Sequence, residues 1–400
     1  MKITASDYKE VICLMRTLVI WGAGRIGRGF VAALFNQPDW RIVFADIDRE
    51  LVDQLSKRKQ YTIFRATAEG ISREIMKDCF TAVHTSDAEA LEAIFREEGL
   101  LLDIAVHATE LDKVAGMLKP LLSMRARVMP ESPMDILMNV NMALPDEAFR
   151  EKLTAAFHDD PAALTYLNER VGISGIAAAC ISPVAPDEMK KEDPLAVLNN
   201  NYPEQAISEQ ALKGEKPRLP RLRLSQNLSA EETRKLYTLN MAHALLCYLG
   251  LPKGYKTVIE AMKDAELRAL VDEALDEANQ GLLKALPLTQ AELDWWRDTV
   301  ISLLMNPYID DVLQRLGADT RRKLGRLDRL VGPAALCIEA GGTPHAMAKA
   351  IHAGFFYEND DPGTRAVRSI AQERGLSAAV KEICGLTAEH PLYHMIINEN

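Results

Sequence analysis

The chain has no Cys-x-x-Cys pair, and none of its six cysteines is spaced against its eight histidines in a way that would hold zinc. Cys13, Cys79, Cys180, Cys247, Cys337 and Cys384 stand singly, which reads as small buried hydrophobes in a reducing compartment. No apolar run reaches the roughly 18 residues of a membrane helix, and the N-terminus lacks the charged, apolar and small-residue order of a signal peptide. The cytoplasm is the expected compartment. There is no long basic run, and the formal net charge is -10, which argues against a broad nucleic-acid surface and against an anionic membrane as partner. An anionic small-molecule substrate would need a local basic pocket. Repeats and low-complexity runs are also missing.

What is present is an ordinary globular composition: 400 residues, 48% of them hydrophobic, enough for two domains or three. Residues 1–14 carry no motif. Met15 sits directly before the first clear strand and is the expected natural start; native peptides from upstream of Met15 would contradict this. The run Thr17 to Trp21 is short, apolar and β-branched, and it leads into Gly22-Ala23-Gly24-Arg25-Ile26-Gly27-Arg28-Gly29-Phe30. A G-x-G-x-x-G that follows a strand and opens a helix, here Arg25 to about Phe35, lets a pyrophosphate rest on the helix N-terminal amides. Gly22, Gly24, Arg25, Ile26 and Gly27 are therefore the expected cofactor-binding loop. The next strand, Arg41 to Ala45, ends in Asp46, whose carboxylate can accept both ribose hydroxyls and would repel a 2′-phosphate. That favours NAD over NADP. A plain tight turn, or an S-adenosylmethionine site with a similar glycine loop, are the other readings of the same residues.

Further strands are expected at 82–85, 103–108, 126–129 and 134–140, with amphipathic helices at 87–96 and 111–122 between them. This alternation predicts a doubly wound parallel sheet of the α/β class. His107, Ala108 and Thr109 fall at a carboxyl strand end, where such sheets bind ligands, so Ala108 joins the cofactor set and His107 reads as a lining residue. Asn141 also ends a strand; its side chain either reaches the same crevice or forms a turn. Another strand-like run covers 171–183. The polar, proline-rich section 186–224 reads as the crossover to a second, all-helical domain, giving a Rossmann-type domain over 15–225 and a helical substrate domain over 226–400.

The helical part opens on Ser229 to Gly250. Ser229 and Glu232 have capping-box spacing, and Gly250 followed by Pro252 is a stop. From Leu236 onward the residues are apolar nearly all round, as in a buried helix, apart from Asn240 and His243, with Lys235 just before. On one continuous helix these three project at about 0°, 140° and 80° for Lys235, Asn240 and His243, so they share a face. A buried Lys has its pKa lowered toward that of a general base, and an amide with an imidazole can hold a hydroxyl or carbonyl oxygen. The alternative is a snorkelling Lys235 beside core polar groups satisfied by backbone. Beyond it, a long helix is expected over 257–285, a capped one from Thr289 with Glu292 in box position, a turn at Asn306-Pro307-Tyr308-Ile309-Asp310-Asp311, and a solvated or phosphate-binding basic cluster at Arg321-Arg322-Lys323.

With a Rossmann half followed by Lys-x4-Asn-x2-His, the chain resembles the polyol-specific long-chain dehydrogenase/reductase family. The resemblance runs in family order through the glycine loop, Glu131-Ser132-Pro133, Asp193-Pro194-Leu195, Arg234 to Asn240 with His243-Ala244, Tyr248-Leu249-Gly250, Asn306-Pro307-Tyr308, Arg322-Lys323-Leu324 and Asp328-Arg329-Leu330. It implies an NAD-dependent, zinc-independent secondary-alcohol dehydrogenase. By resemblance Lys235 is the general base, Asn240 and Asn141 donate hydrogen bonds to the reacting oxygen, and His243 orients the substrate. The implied substrate pair is a polyol phosphate and a ketose phosphate, best matched by mannitol 1-phosphate and fructose 6-phosphate.

Some family features are missing. Ala179-Cys180 stands where the family has an Asp-Arg pair, Val140 where it has an acidic residue, and Leu303-Leu304 where it has Arg-Phe. These changes remove charge near the expected site, so an unphosphorylated polyol, a hexuronate or another hydroxy acid is an alternative substrate. A nucleotide-binding regulator without catalysis is the alternative of a different class.

Overall fold

Leu18, Val19 and Ile20 have no exposed surface at all, which explains why their strand is apolar along its whole length: it is covered on both faces. The computed structural model describes residues 15–67, 69–142, 144–202, 204–309 and 311–399. The start at Met15 concerns a segment, 1–14, that lies outside the described residues, as do Cys13 and, in the expected turn, Asp310. Two compact units divide at Leu228 and Ser229.

In the first unit, β1 (Arg16–Trp21), β2 (Trp40–Asp46), β3 (Gln60–Thr67), β4 (Gly70–Lys77), β5 (Phe80–His84), β6 (Leu101–Ile104), β7 (Met134–Met138) and β8 (Val171–Ser174) follow one another. Six of them form one sheet in the order β5-β2-β1-β6-β7-β8, and every pairing in it is parallel. The order reverses between β1 and β6, so the carboxyl ends of these two strands mark the switch point at which open α/β sheets bind ligands.

Three features of this unit go against or beyond the sequence reading. Residues 126–129 do not form a strand: the helix runs Leu111–Val128, past Pro120, because Leu118, Leu121, Leu122, Arg125 and Ala126 continue one buried stripe. Arg125, without exposed surface, donates to the carbonyls of Phe95 (2.6 Å) and Glu97 (2.8 Å), to the Tyr166 hydroxyl (2.9 Å) and to Ser132 Oγ (3.2 Å). That ties down the Glu131-Ser132-Pro133 segment. Secondly, β3 and β4 form an antiparallel hairpin that the sequence pattern did not announce, since β4 is exposed along most of its length and carries no clear apolar alternation. Thirdly, the stretch 186–224 belongs to the sheets of the first unit. After β9 (Ile176–Ala177) come the helix Asp187–Glu192 and the strands β10 (Val197–Asn199), β11 (Gln205–Ser208) and β12 (Leu222–Ser225). β10 joins β3 and β4, while β12, β11 and β9 make a third small sheet. The link is physical: Asp193 accepts from the Thr62 amide (2.7 Å) and from Arg58, and Asn199 donates to the Gly29 carbonyl (2.6 Å).

The second unit is helical. Its first helix, Leu228–Tyr237, begins one residue before Ser229, so Ser229 lies in the first turn and does not stand before it. The expected helix over 257–285 is two, Val258–Met262 and Ala265–Ala285, separated because the Asp264 carboxylate accepts from the amides of Glu266 (2.8 Å) and Leu267 (3.2 Å). Thr289 and Glu292 do form a reciprocal capping box on the helix Gln290–Leu304. No helix among the described residues is long and apolar enough to cross a membrane.

Candidate active site

At the carboxyl end of β1 the chain turns on Gly22, at φ +106°, where a Cβ would lie 2.5 Å from the Ala105 carbonyl oxygen just past β6. A Cβ on Gly27 would collide with the Gly22 carbonyl, so Gly27 is required for the turn to close on its helix. Gly24 differs: it is exposed, and nothing lies within 4 Å of a Cβ built there. The open surface over Gly24 is what close approach of a phosphate to the backbone needs. Exposed Arg25 and half-buried Ile26 follow, and the buried turns Gly27–Val31 and Ala32–Leu34 complete the expected helix.

Asp46, at the end of β2, accepts from the Ala23 amide (2.6 Å) and from the Asp48 amide (2.8 Å). The structure thus brings Gly22, Gly24, Gly27 and Asp46 together. Ala108 sits in a short turn after β6, beside His107, whose ring caps that turn and is exposed.

Asn141 does not end a strand, which corrects the expected span 134–140: β7 stops at Met138, and Asn141 is exposed three residues further on. The ladder with β6 ends at Ile104 and Met138, and Asn139, the next residue, donates its side-chain amide to Asp103 (2.6 Å) on that neighbouring strand. The Asp103 carboxyl has no exposed surface, and burial pushes it up to about 8 against the pull of the Asn139 bond.

In the helical unit the stretch carrying Lys235, Asn240 and His243 is not one helix. Leu228–Tyr237 and Leu239–Gly250 are separated at Thr238 (φ -123°, ψ -77°), so the projection at a constant 100° per residue does not hold across it. Lys235 and Asn240 are half-buried and His243 is buried. Burial is the largest influence on His243 and pushes its pKa down to about 4; Asp311 pulls it up, while Arg329, Arg315 and Lys235 push it further down. Lys235 and His243 are therefore electrostatic neighbours.

Sequence reasoning missed Asp311 as part of this cluster. Its Oδ2 lies 3.9 Å from His243 Nε2, its other oxygen is paired with Arg315, and Thr257 bridges to Val312 to hold the segment in place. The acidic residue after Asn306-Pro307-Tyr308 was the available signal. The basic cluster divides: Lys323 is buried and donates to the carbonyls of Leu316 and Ala318, which corrects its reading as a solvated or phosphate-binding side chain. Arg321 pairs with Glu382 (3.6 Å) and Arg322 with Asp319 (2.7 Å) and Asp328 (3.1 Å). Of the substituted positions, Ala179 is buried with its carbonyl accepting from Asn200 (2.9 Å), and Val140 and Leu304 are buried as well. Among the described residues no group of three or more His, Cys, Asp or Glu side chains is placed to hold a metal ion.

The strand order and glycine loop define a Rossmann dinucleotide-binding unit, here joined to a helical unit. Residues 16–221 match the mannitol dehydrogenase Rossmann domain and residues 227–391 the mannitol dehydrogenase C-terminal domain. The chain belongs to the mannitol dehydrogenase family. It is 31% identical over 377 residues to a mannitol-1-phosphate 5-dehydrogenase of Caldanaerobacter subterraneus, covering 94% of this chain and 95% of that protein. It is also 31% identical to the Bacillus subtilis mannitol-1-phosphate 5-dehydrogenase, covering 95% and 98%. Among solved structures, a D-sorbitol dehydrogenase in substrate-free form shares the fold at TM-score 0.80 and 17% identity, over 97% of this chain and 93% of that one. The Pseudomonas fluorescens mannitol 2-dehydrogenase, solved with NAD and D-mannitol, shares it at TM-score 0.75 and 16% identity, over 99% and 95%.

Proposed function

We propose that the protein is an NAD-dependent dehydrogenase that interconverts a polyol phosphate and a ketose phosphate, with mannitol 1-phosphate and fructose 6-phosphate as the pair. The observation that carries this reading is the similarity of the chain, over nearly its whole length, to mannitol-1-phosphate 5-dehydrogenases, together with its Lys235-x4-Asn240-x2-His243 spacing. NAD, when bound, supplies the hydride acceptor. Gly24 would offer the open backbone for its pyrophosphate, with Gly22, Arg25, Ile26 and Gly27 around it, Asp46 would meet the adenosine ribose, and Ala108 would line the nicotinamide side.

As the alcohol loses hydride its oxygen gains carbonyl character, and its proton passes to Lys235 as general base. Asn240 donates a hydrogen bond to that oxygen, where charge develops in the transition state, and Asn141, exposed past β7, is a second amide donor by the family resemblance alone. His243, neutral at physiological pH, orients a substrate hydroxyl without adding charge. Arg329, half-buried and paired with Asp328 (2.8 Å), is one of the cations that act on His243 and is the candidate to meet the phosphate.

The test is loss of NADH absorbance with fructose 6-phosphate, fructose, fructuronate and tagaturonate at equal concentration. Turnover with fructose 6-phosphate above the other three supports the reading. Preference for fructose or a hexuronate would move the substrate class, and NADH binding with no turnover on any ketone would leave a nucleotide-binding regulator.

A further inference from the structure

Thr238 is buried at 0% exposure between the helix that carries Lys235 and the helix that carries Asn240 and His243. Its hydroxyl donates to the Arg234 carbonyl (2.5 Å), four residues back, and accepts from the indole N–H of Trp296 (2.7 Å), itself 2% exposed. A threonine that back-bonds to the i-4 carbonyl competes with the helical ladder and bends the chain. Here the ladder stops, and a new helix starts with the Ala242 amide bonding to the Thr238 carbonyl (2.8 Å). The Trp296 ring also stacks on the Arg234 guanidinium, at 4.6 Å, so both ends of the Thr238 bridge rest on one indole. Nothing in the periodicity of the sequence fixes the rotation of one helix against the other.

We propose that Thr238, held by Trp296, is a positioning residue for the reaction: its hydroxyl sets the break between the two helices and thereby the placement of Lys235 relative to Asn240 and His243. This role rests on Lys235 being the general base. A bridge that acts through geometry needs a hydroxyl at 238, and a methyl in its place is not enough. Because the residues proposed above to hold the cofactor are Gly22, Gly24, Arg25, Ile26, Gly27, Asp46 and Ala108, NADH affinity is expected not to depend on Thr238.

The experiment compares Thr238→Val, Thr238→Ser, Trp296→Phe and the Thr238→Val/Trp296→Phe double variant, with Lys235→Ala as control, in polyol phosphate oxidation from pH 6 to 10. Thr238→Val is expected to lower kcat about tenfold or more, the scale of a misplaced catalytic group, with a shifted pH profile and unchanged NADH Kd. Thr238→Ser should restore kcat to within a few fold. Trp296→Phe should act in the same direction, and the double variant should be little worse than the more damaged single one, since both remove one bridge. Where Thr238→Val does not fold, Trp296→Phe removes the same bond from the other side. A lowered melting temperature with unchanged kcat and pH profile would overturn the proposal while leaving Lys235 as base. Full turnover by Lys235→Ala would overturn both.

Discussion

His243 Nε2 lies 3.9 Å from Asp311 Oδ2, with both side chains buried in the helical unit. Although the carboxylate favours the imidazolium, burial and the nearby cations win, and the pKa falls to about 4. The folded protein therefore refuses a proton that the unfolded chain takes up near its ordinary pKa of about 6.5. The stability from the neutral ring is complete above that value and is lost as pH falls toward 4. Urea unfolding at pH 7 and pH 5 should show wild type losing stability that a His243→Gln variant keeps, by at most about 1.4 kcal/mol per pH unit. Equal losses in both would contradict it.

Asp103 carries the opposite sign. Its folded pKa, raised to about 8, lies above the unfolded value of about 3.9, so the stability linked to its proton is full below about pH 4 and is lost as pH rises through 8. Asp103→Asn keeps a carbonyl to accept the Asn139 bond and removes the titration. Between pH 5 and pH 8 the variant's urea midpoint should fall less than that of wild type.

The two loop glycines separate folding from cofactor binding. Gly24→Ala meets no atom and should keep the wild-type melting temperature while weakening NADH, because its methyl occupies the approach to the backbone. Gly27→Ala forces its Cβ into the Gly22 carbonyl and should lower the melting temperature as well. Melting curves beside fluorescence titration of NADH distinguish the two.

Asp46→Ser removes the carboxylate that accepts the Ala23 amide and that we assign to the ribose. A charged hydrogen bond is worth about 1.5–3 kcal/mol, so the NADH Kd should rise about tenfold or more. The NADPH Kd should fall, since the repulsion of a 2′-phosphate goes with the charge. An unchanged ratio of the two affinities would remove Asp46 from the cofactor site.

The parallel sheet and the loop were legible because β1, β2 and β7 are buried on both faces and read as apolar runs, and because Gly22 and Gly27 answer steric demands that leave a sequence signature. The strands of 186–224 were not: β10, β11 and β12 have three or four residues each, too short for a period. The end of the helix Leu111–Val128 was misjudged because Arg125 reads as a surface residue until its four bonds are seen. Lys235, Asn240 and His243 were legible as a spacing, but the break at Thr238 involves Trp296, 58 residues away, and Asp311 reaches His243 by a fold that no local pattern encodes.

Single-turnover oxidation of mannitol 1-phosphate by the NAD-saturated protein tests most directly whether Lys235 is the general base. Lys235→Ala should bind NADH as wild type does and lose at least about a hundredfold in the rate of NADH formation, the lower range of general-base contributions. A Lys235→Ala rate within a few fold of wild type would contradict that role.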